Sequence, residues 1–259
     1  MIELKNPRIA VPVVLFAGLV WSFGPLVVRN MNDSQLIPWQ YIFGRGLTIF
    51  ILLNLYLFFE EGKNFYKNYF RIGLSGLLGG SGLGVAMISF MFSITNTSAA
   101  ITLLCLAAMP FFTALLAFLF LREKISLNVW VSIIIATVGI GIMAMGNTSE
   151  TSLIGFVFGM TSSVGFAVFS VSLRWRKDTP KFTTTAFAGL FCVVFSTIMI
   201  FYKDLNFFST SYNSSLFSLH GTLVCLGLIL YSIGSKAIPA AELTLLSLTE
   251  VIGGIFWVW

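Results

Sequence analysis

The chain has 259 residues, of which 57% are hydrophobic and only 10% charged, with a formal net charge of +5. That composition excludes a soluble domain of useful size, and the longest gaps between apolar runs, 60–71 and 202–214, are too short to hold a core. The positive balance calls for no nucleic-acid partner, because the basic residues sit in alternate gaps between apolar runs, where membrane topology puts them.

A bilayer-spanning helix needs roughly 20 apolar residues. Nine runs of about this length follow one another, at 10–28, 37–59, 72–94, 99–121, 129–145, 153–173, 182–201, 215–234 and 240–259. They predict an all-α polytopic membrane protein whose first partner is the lipid bilayer. With the N-terminus inside, the inside segments hold Lys5 and Arg8, then Lys63, Lys67 and Arg71, then Arg122 and Lys124. Arg174, Arg176, Lys177, Lys181 and Lys236 follow, while only Arg29 and Lys203 fall outside and Arg45 lies within a run. Positive charge in short loops marks the cytoplasmic side, so the expectation is a multi-pass inner-membrane protein with a cytoplasmic N-terminus.

The first run lacks a small-x-small cleavage pattern and is followed by Arg29, so it reads as a retained helix and not a signal peptide. It carries Trp21, a candidate for lining a cavity. The second run carries Tyr41 and, one turn on, Arg45. A charge at this depth costs several kcal/mol unless it faces water or a partner. Arg45 can take a substrate carboxylate or phosphate, or it can fasten its helix to neighbouring carbonyls.

The third run holds Gly76, Gly80 and Gly84, and the sixth holds Gly155 and Gly159, rows of small residues that let backbones approach. The stretch SGLLGGSGLG lacks a following GK[ST] and is no phosphate-binding loop, so concentrating transport must draw on an ion gradient or exchange. In the fourth run Pro110 predicts a kink that frees carbonyls beside a cavity. Glu123, at the end of that run beside Arg122 and Lys124, reads as an anchor, as does Glu242 at the start of the ninth.

Phe166 in the sixth run and Tyr231 late in the eighth are further cavity candidates. His220, near the outer end of the eighth run, reads as an interfacial residue. Cys105, Cys192 and Cys225 all lie in apolar runs without CxxC spacing, which predicts packed thiols, with no disulfide, metal or cofactor.

The ninth run contains Glu250, ten residues from its start and so about 15 Å deep, against about 12 Å for Arg45 from the opposite face. Their depths allow an ion pair, direct or through water, without requiring one. Glu250 can serve a substrate amine or a coupled proton, or it can cap a broken helix. An intramembrane serine protease is the strongest enzymatic alternative, with GLSG at Ser75, GGSG at Ser81 and one histidine. Ser75 and His220 sit toward opposite faces, about 20 Å apart in depth, and a nucleophile must touch its base. No catalytic residue is expected.

The chain also repeats itself. SAAITLLCLAAMPFFTALLAFL from Ser98 lies over PAAELTLLSLTEVIGGIFWVW from Pro239 at a shift of 141. WSFGPLVVR at Trp21 lies over FAVFSVSLR at Phe166 at a shift of 145. The unit is five helices, 1–148 and then 149–259, and an odd unit inverts when repeated, as secondary transporters do. The second unit lacks the end of its fourth helix and all of its fifth, so a fragment is expected, short of the full ten-helix design by about 30 to 40 residues.

PWQYIFGRGLTIFILL, MPFFTALLAFLFLREKIS, and the paired turns TSAAITLL and PAAELTLL resemble the EamA-type permeases of the drug/metabolite transporter superfamily, over nearly the whole chain. At SLTEVIGG that family has Glu followed by Pro; here Val251 follows Glu250, so the proline that would kink the helix is missing. The resemblance implies a small-molecule permease that works by alternating access around a midplane cavity walled by helices one to four and six to nine. It implies export or exchange of a metabolite such as an amino acid; one buried positive and one buried negative residue suit a zwitterion. Uptake of an organic anion or nucleotide-like solute at Arg45 is the second reading, and a non-transport scaffold the third.

Overall fold

A computed structural model of the chain describes residues 6–127, 129–131, 133–135, 138, 142, 152–176 and 178–258. Among these residues eight helical segments are long and apolar enough to cross a membrane, and no strand occurs. The first span is α1 (Pro7–Trp21) with α2 (Gly24–Arg29), and the second is α3 (Pro38–Glu61). Short α4 (Lys67–Phe70) leads to α5 (Gly73–Asn96). The fourth run folds as α6 (Ala99–Leu106) and α7 (Met109–Leu116), extended by a π-helical turn, Ala117–Leu121. Next come α8 (Leu153–Trp175), α9 (Lys181–Tyr202) and α10 (Ser211–Gly234). The last span is α11 (Ala240–Leu246) with α12 (Thr249–Val258). Most of the fifth run, the boundary at 148/149, and Lys5, Lys177 and Trp259 lie outside the described residues.

Polar caps start several of these helices. The side chains of Asn6, Ser98, Ser152 and Thr210 each accept a backbone N–H from the first turn that follows, satisfying donors that a helix start leaves open. Three spans are broken in the middle. Two breaks precede Pro25 and Pro110, which sit in the first turn of α2 and α7, where a missing N–H costs nothing.

The third break, between α11 and α12, has no proline, and here the helix interrupts where the sequence offers no kinking residue. Hydroxyls take the proline's part. Ser247 Oγ donates to Thr244 O at 2.8 Å, and Thr249 Oγ1 reaches both Leu246 O at 3.2 Å and Leu15 O at 2.9 Å. Carbonyls freed in the bilayer are thereby paired inside the protein.

The spans pack α5 against α8 and α1 against α10; α5 against α9 and α3 against α10; α6 and α7 against α8, and α1 against α11 and α12. Two further contacts join α3 to α9, and α6 and α7 to α11 and α12. Glycines set the closest crossings. A Cβ on Gly165 would stand 2.6 Å from Gly82 O, and Cβ atoms on Gly46 and Gly189 would stand 3.0 and 2.9 Å from each other's carbonyl oxygens. The predicted rows do the same work, with Gly80 and Gly84 of α5 lying against Phe187 and Phe191 of α9.

Polar contacts gather at the two ends. At one, Arg174 Nε pairs with Glu123 Oε1 at 2.7 Å while Nη1 donates to Ser235 O and Ile238 O. Glu123 Oε2 also accepts the Ala240 N–H, so the anchoring expected of Glu123 is observed. A cleft of about 250 Å³ at this end brings Glu61, Arg71, Asp178 and Lys181 together. At the other end, Gln40 Nε2 donates to Asn206 O, and Asn213 exchanges hydrogen bonds with the backbone of Asn32. Between the ends the outer surface is apolar, with Phe16, Ile51, Ile198, Leu219 and Ile252 exposed, as a lipid-facing surface requires. The three cysteines are free and buried, on α6, α9 and α10.

Candidate functional site

A cavity of about 80 Å³, room for a few waters or a very small solute, opens between the spans. Its apolar wall comes from α5 (Leu83, Met87, Phe90), α6 and α7 (Leu106, Met109) and α10 (Val224, Leu228). Trp21, Gly24, Arg45, Ala86, Ser162, Phe166, His220 and Glu250 complete it. The seventh run, α9, supplies no described lining residue, so the wall is narrower than the sequence reading implied.

Arg45 is buried, 3% exposed. Its Nη2 donates to Met87 O at 2.7 Å and its Nη1 to Tyr41 Oη at 2.9 Å, while the guanidinium lies 4.8 Å from the Tyr41 ring centre. Met87 O belongs to α5, so Arg45 fastens α3 to a neighbouring helix and still reaches the cavity. Its buried Nε has no hydrogen-bond partner among the described residues.

Glu250 lies in the first turn of α12, where the helix dipole favours a carboxylate. Among the described residues its carboxyl oxygens make no hydrogen bond, and no ion pair joins it to Arg45. The two opposite charges therefore face one cavity without neutralising each other by contact.

The aromatic candidates divide. Trp21 and Phe166 meet edge to face, 5.6 Å between ring centres, and both line the cavity. Trp21 Nε1 is held by Val224 O at 3.2 Å. Tyr231 and Tyr41 stand one layer behind. Tyr231 is fully buried, packs on Trp21 and Phe166, and bonds Ser170 at 2.6 Å.

His220 corrects the sequence reading. It is buried, 3% exposed, lines the cavity, and its Nδ1 is 2.6 Å from Tyr41 Oη. Its position near the end of a run suggested an interface, but α10 packs on α3 and turns it inward, over the bare backbone of Gly24. The missed signal was the Tyr41–Arg45 turn, whose polar face needs a partner on the next helix. The protease alternative fails on geometry. Ser75 pairs with Thr179 at 2.5 Å and Ser81 with Leu77 O at 2.6 Å, and neither serine touches His220, whose Nδ1 faces Tyr41.

The sequence profile of the EamA-like transporter family matches residues 8–145. Two proteins of Helicobacter pylori, from strains J99 and 26695, are each named an uncharacterized transporter. Each is 22% identical to the chain over 263 residues, covering 95% of this chain and 84% of its own length. With more than half of the chain matched and its spans gathered around a mixed polar and apolar cavity, the chain belongs to the EamA-like transporter family of the drug/metabolite transporter superfamily, as a multi-pass membrane transporter.

Proposed function

We propose that this transporter moves a small zwitterion of the amino-acid class across the cytoplasmic membrane by alternating access. The observation that carries the reading is the pair Arg45 and Glu250, opposite in sign, facing one cavity and not bound to each other. Arg45 takes the carboxylate, by charge-assisted hydrogen bonding, and Glu250 takes the ammonium or a coupled proton. Trp21 and Phe166 supply the apolar wall, and Tyr41 and Tyr231 hold that shell from behind. An organic anion is the second reading. Glu250 weighs against it, because a bare anion in this cavity meets a carboxylate.

Two inverted five-helix repeats, 1–148 and 149–259, supply the moving halves in this reading. Packing supports it. Moving each span on by five places in the ten-helix order expected from the sequence, the count returning to the first span after the tenth, carries the α5–α8 contact onto α10–α1, and α9–α5 onto α3–α10. Gly46 and Gly189, 143 residues apart, meet face to face, and the breaks after Leu106 and Leu246 fall 140 apart. Secondary transporters place their site between such halves. The N-terminus is inside, on the charge distribution.

The test is a measurement of intracellular and medium pools of amino acids and organic anions in cells expressing wild type, Arg45→Ala or Glu250→Gln. The expected result is a solute redistributed by wild type alone. A solute moved equally by both variants overturns the role of the pair, and movement of anions alone favours the second reading.

A further inference from the structure

Two groups of the cavity wall, Arg45 and His220, are joined through Tyr41 behind it into a directed chain, and hydrogen-bond polarity fixes its sense. A guanidinium only donates, so in the 2.9 Å contact Arg45 Nη1 donates and Tyr41 Oη accepts. The phenol proton is then free to point at His220 Nδ1, 2.6 Å away. In the opposite arrangement Nδ1–H would donate to a phenol oxygen already accepting from Arg45. The phenol proton would then have no acceptor among the described residues, a buried donor left unpaired. His220 lines the cavity, where water or a solute can accept from Nε2–H, and the fully buried Tyr41 does not, so Nδ1 is the acceptor and the neutral imidazole carries its proton on Nε2.

Nε2 has no hydrogen-bond partner among the described residues, and His220 lines the cavity. A Cβ on Gly24 would stand 2.8 Å from Nε2, so only the absence of a side chain there leaves this edge of the ring open. We propose that His220 Nε2–H is a substrate-binding donor, oriented through Tyr41 by Arg45, which contacts the carboxylate or another acceptor oxygen of the solute. The site then offers a carboxylate two adjoining donors, Arg45 and His220, with Glu250 left for the cationic end. The solute class rests on the reading above, but the tautomer does not. Tyr41, outside the lining, becomes a positioning residue.

The chain has one histidine, so 15N-histidine labelling gives a single imidazole to observe by NMR in the purified full chain. Wild type is expected to show a protonated Nε2 and an unprotonated Nδ1, and Tyr41→Phe to shift the population toward Nδ1–H. Acetate is expected to move the Nε2 resonance and methylammonium to leave it in place. An Nδ1–H tautomer in wild type, a tautomer unmoved by Tyr41→Phe, or a response to methylammonium alone overturns the proposal.

In cells, His220→Gln can accept from Tyr41 and still donate to the cavity, so it should keep part of the transport that His220→Ala loses. His220→Ala should lose about 10-fold or more, the loss of a charge-assisted hydrogen bond. Equal loss in both variants also counts against it. If wild type redistributes an amino acid but acetate leaves Nε2 unmoved, His220 is no contact and the transport reading survives. If acetate moves Nε2 but wild type redistributes nothing, the transport reading fails and the donor stands.

Discussion

Arg45 and Glu250 share a cavity but are held differently, and the difference separates loss of function from loss of structure. Arg45 donates to Met87 O and to Tyr41. Arg45→Ala should therefore lower stability by about 1–3 kcal/mol as well as abolish transport. Glu250 makes no hydrogen bond among the described residues, so Glu250→Gln should leave stability within about 0.5 kcal/mol while transport falls. Thermal unfolding in detergent, run beside the pool measurement, checks both, and early unfolding of Glu250→Gln would make its carboxyl structural. Both residues were legible in the sequence, because a charge inside an apolar run must find a partner or water. His220 was not. An imidazole is at home at an interface or in a core, and only the packing of α10 on α3 decides between them.

Among the helices, the breaks show what local chemistry can and cannot announce. Pro25 and Pro110 mark theirs, since a proline cannot continue a hydrogen-bond ladder it does not donate to. The break between α11 and α12 carries no such mark. It rests on Thr249 donating to Leu15 O of α1, a contact between residues 234 apart in sequence. Thr249→Val keeps the shape and removes the bond, and should cost about 1 kcal/mol, read as a lower unfolding temperature with the protein still inserted. The first span and α8 contrast in the same way. Pro25 breaks the one, whereas Ser170, 145 positions on, bonds Phe166 O and Tyr231 in an α8 that runs unbroken. Glycine crossings are stiffer. A Cβ on Gly165 meets Gly82 O at 2.6 Å and Ala86 N at 3.0 Å, both backbone, so Gly165→Ala can be relieved only by moving a helix. It should cost about 1–3 kcal/mol and reduce the yield of folded protein. An unchanged unfolding temperature would mean that α5 and α8 slide apart without loss.

At the scale of the whole molecule, the sorting of the gaps into two faces rests on two separate observations that must agree. Gaps predicted to lie inside meet at one end, where Arg174 joins Glu123, Ser235 and Ile238, and gaps predicted outside meet at the other, through Gln40 and Asn206. The packing sorts the gaps into two groups but does not say which faces the cytoplasm; that assignment comes from the excess of Lys and Arg alone. Cysteine labelling decides it. Cys105, Cys192 and Cys225 are all buried, so a cysteine placed at an exposed position reports its own side. Gln35, Lys63, Asp178 and Lys203 are all exposed. In intact cells a membrane-impermeant maleimide should label Gln35→Cys and Lys203→Cys. Lys63→Cys and Asp178→Cys should react only after the membrane is opened. The reverse pattern would keep the fold and turn it over, so that the cleft holding Glu61 and Lys181 faces outward. Labelling of one member of each pair would break the agreement between the charge rule and the packing, and with it the assignment of the gaps to two faces.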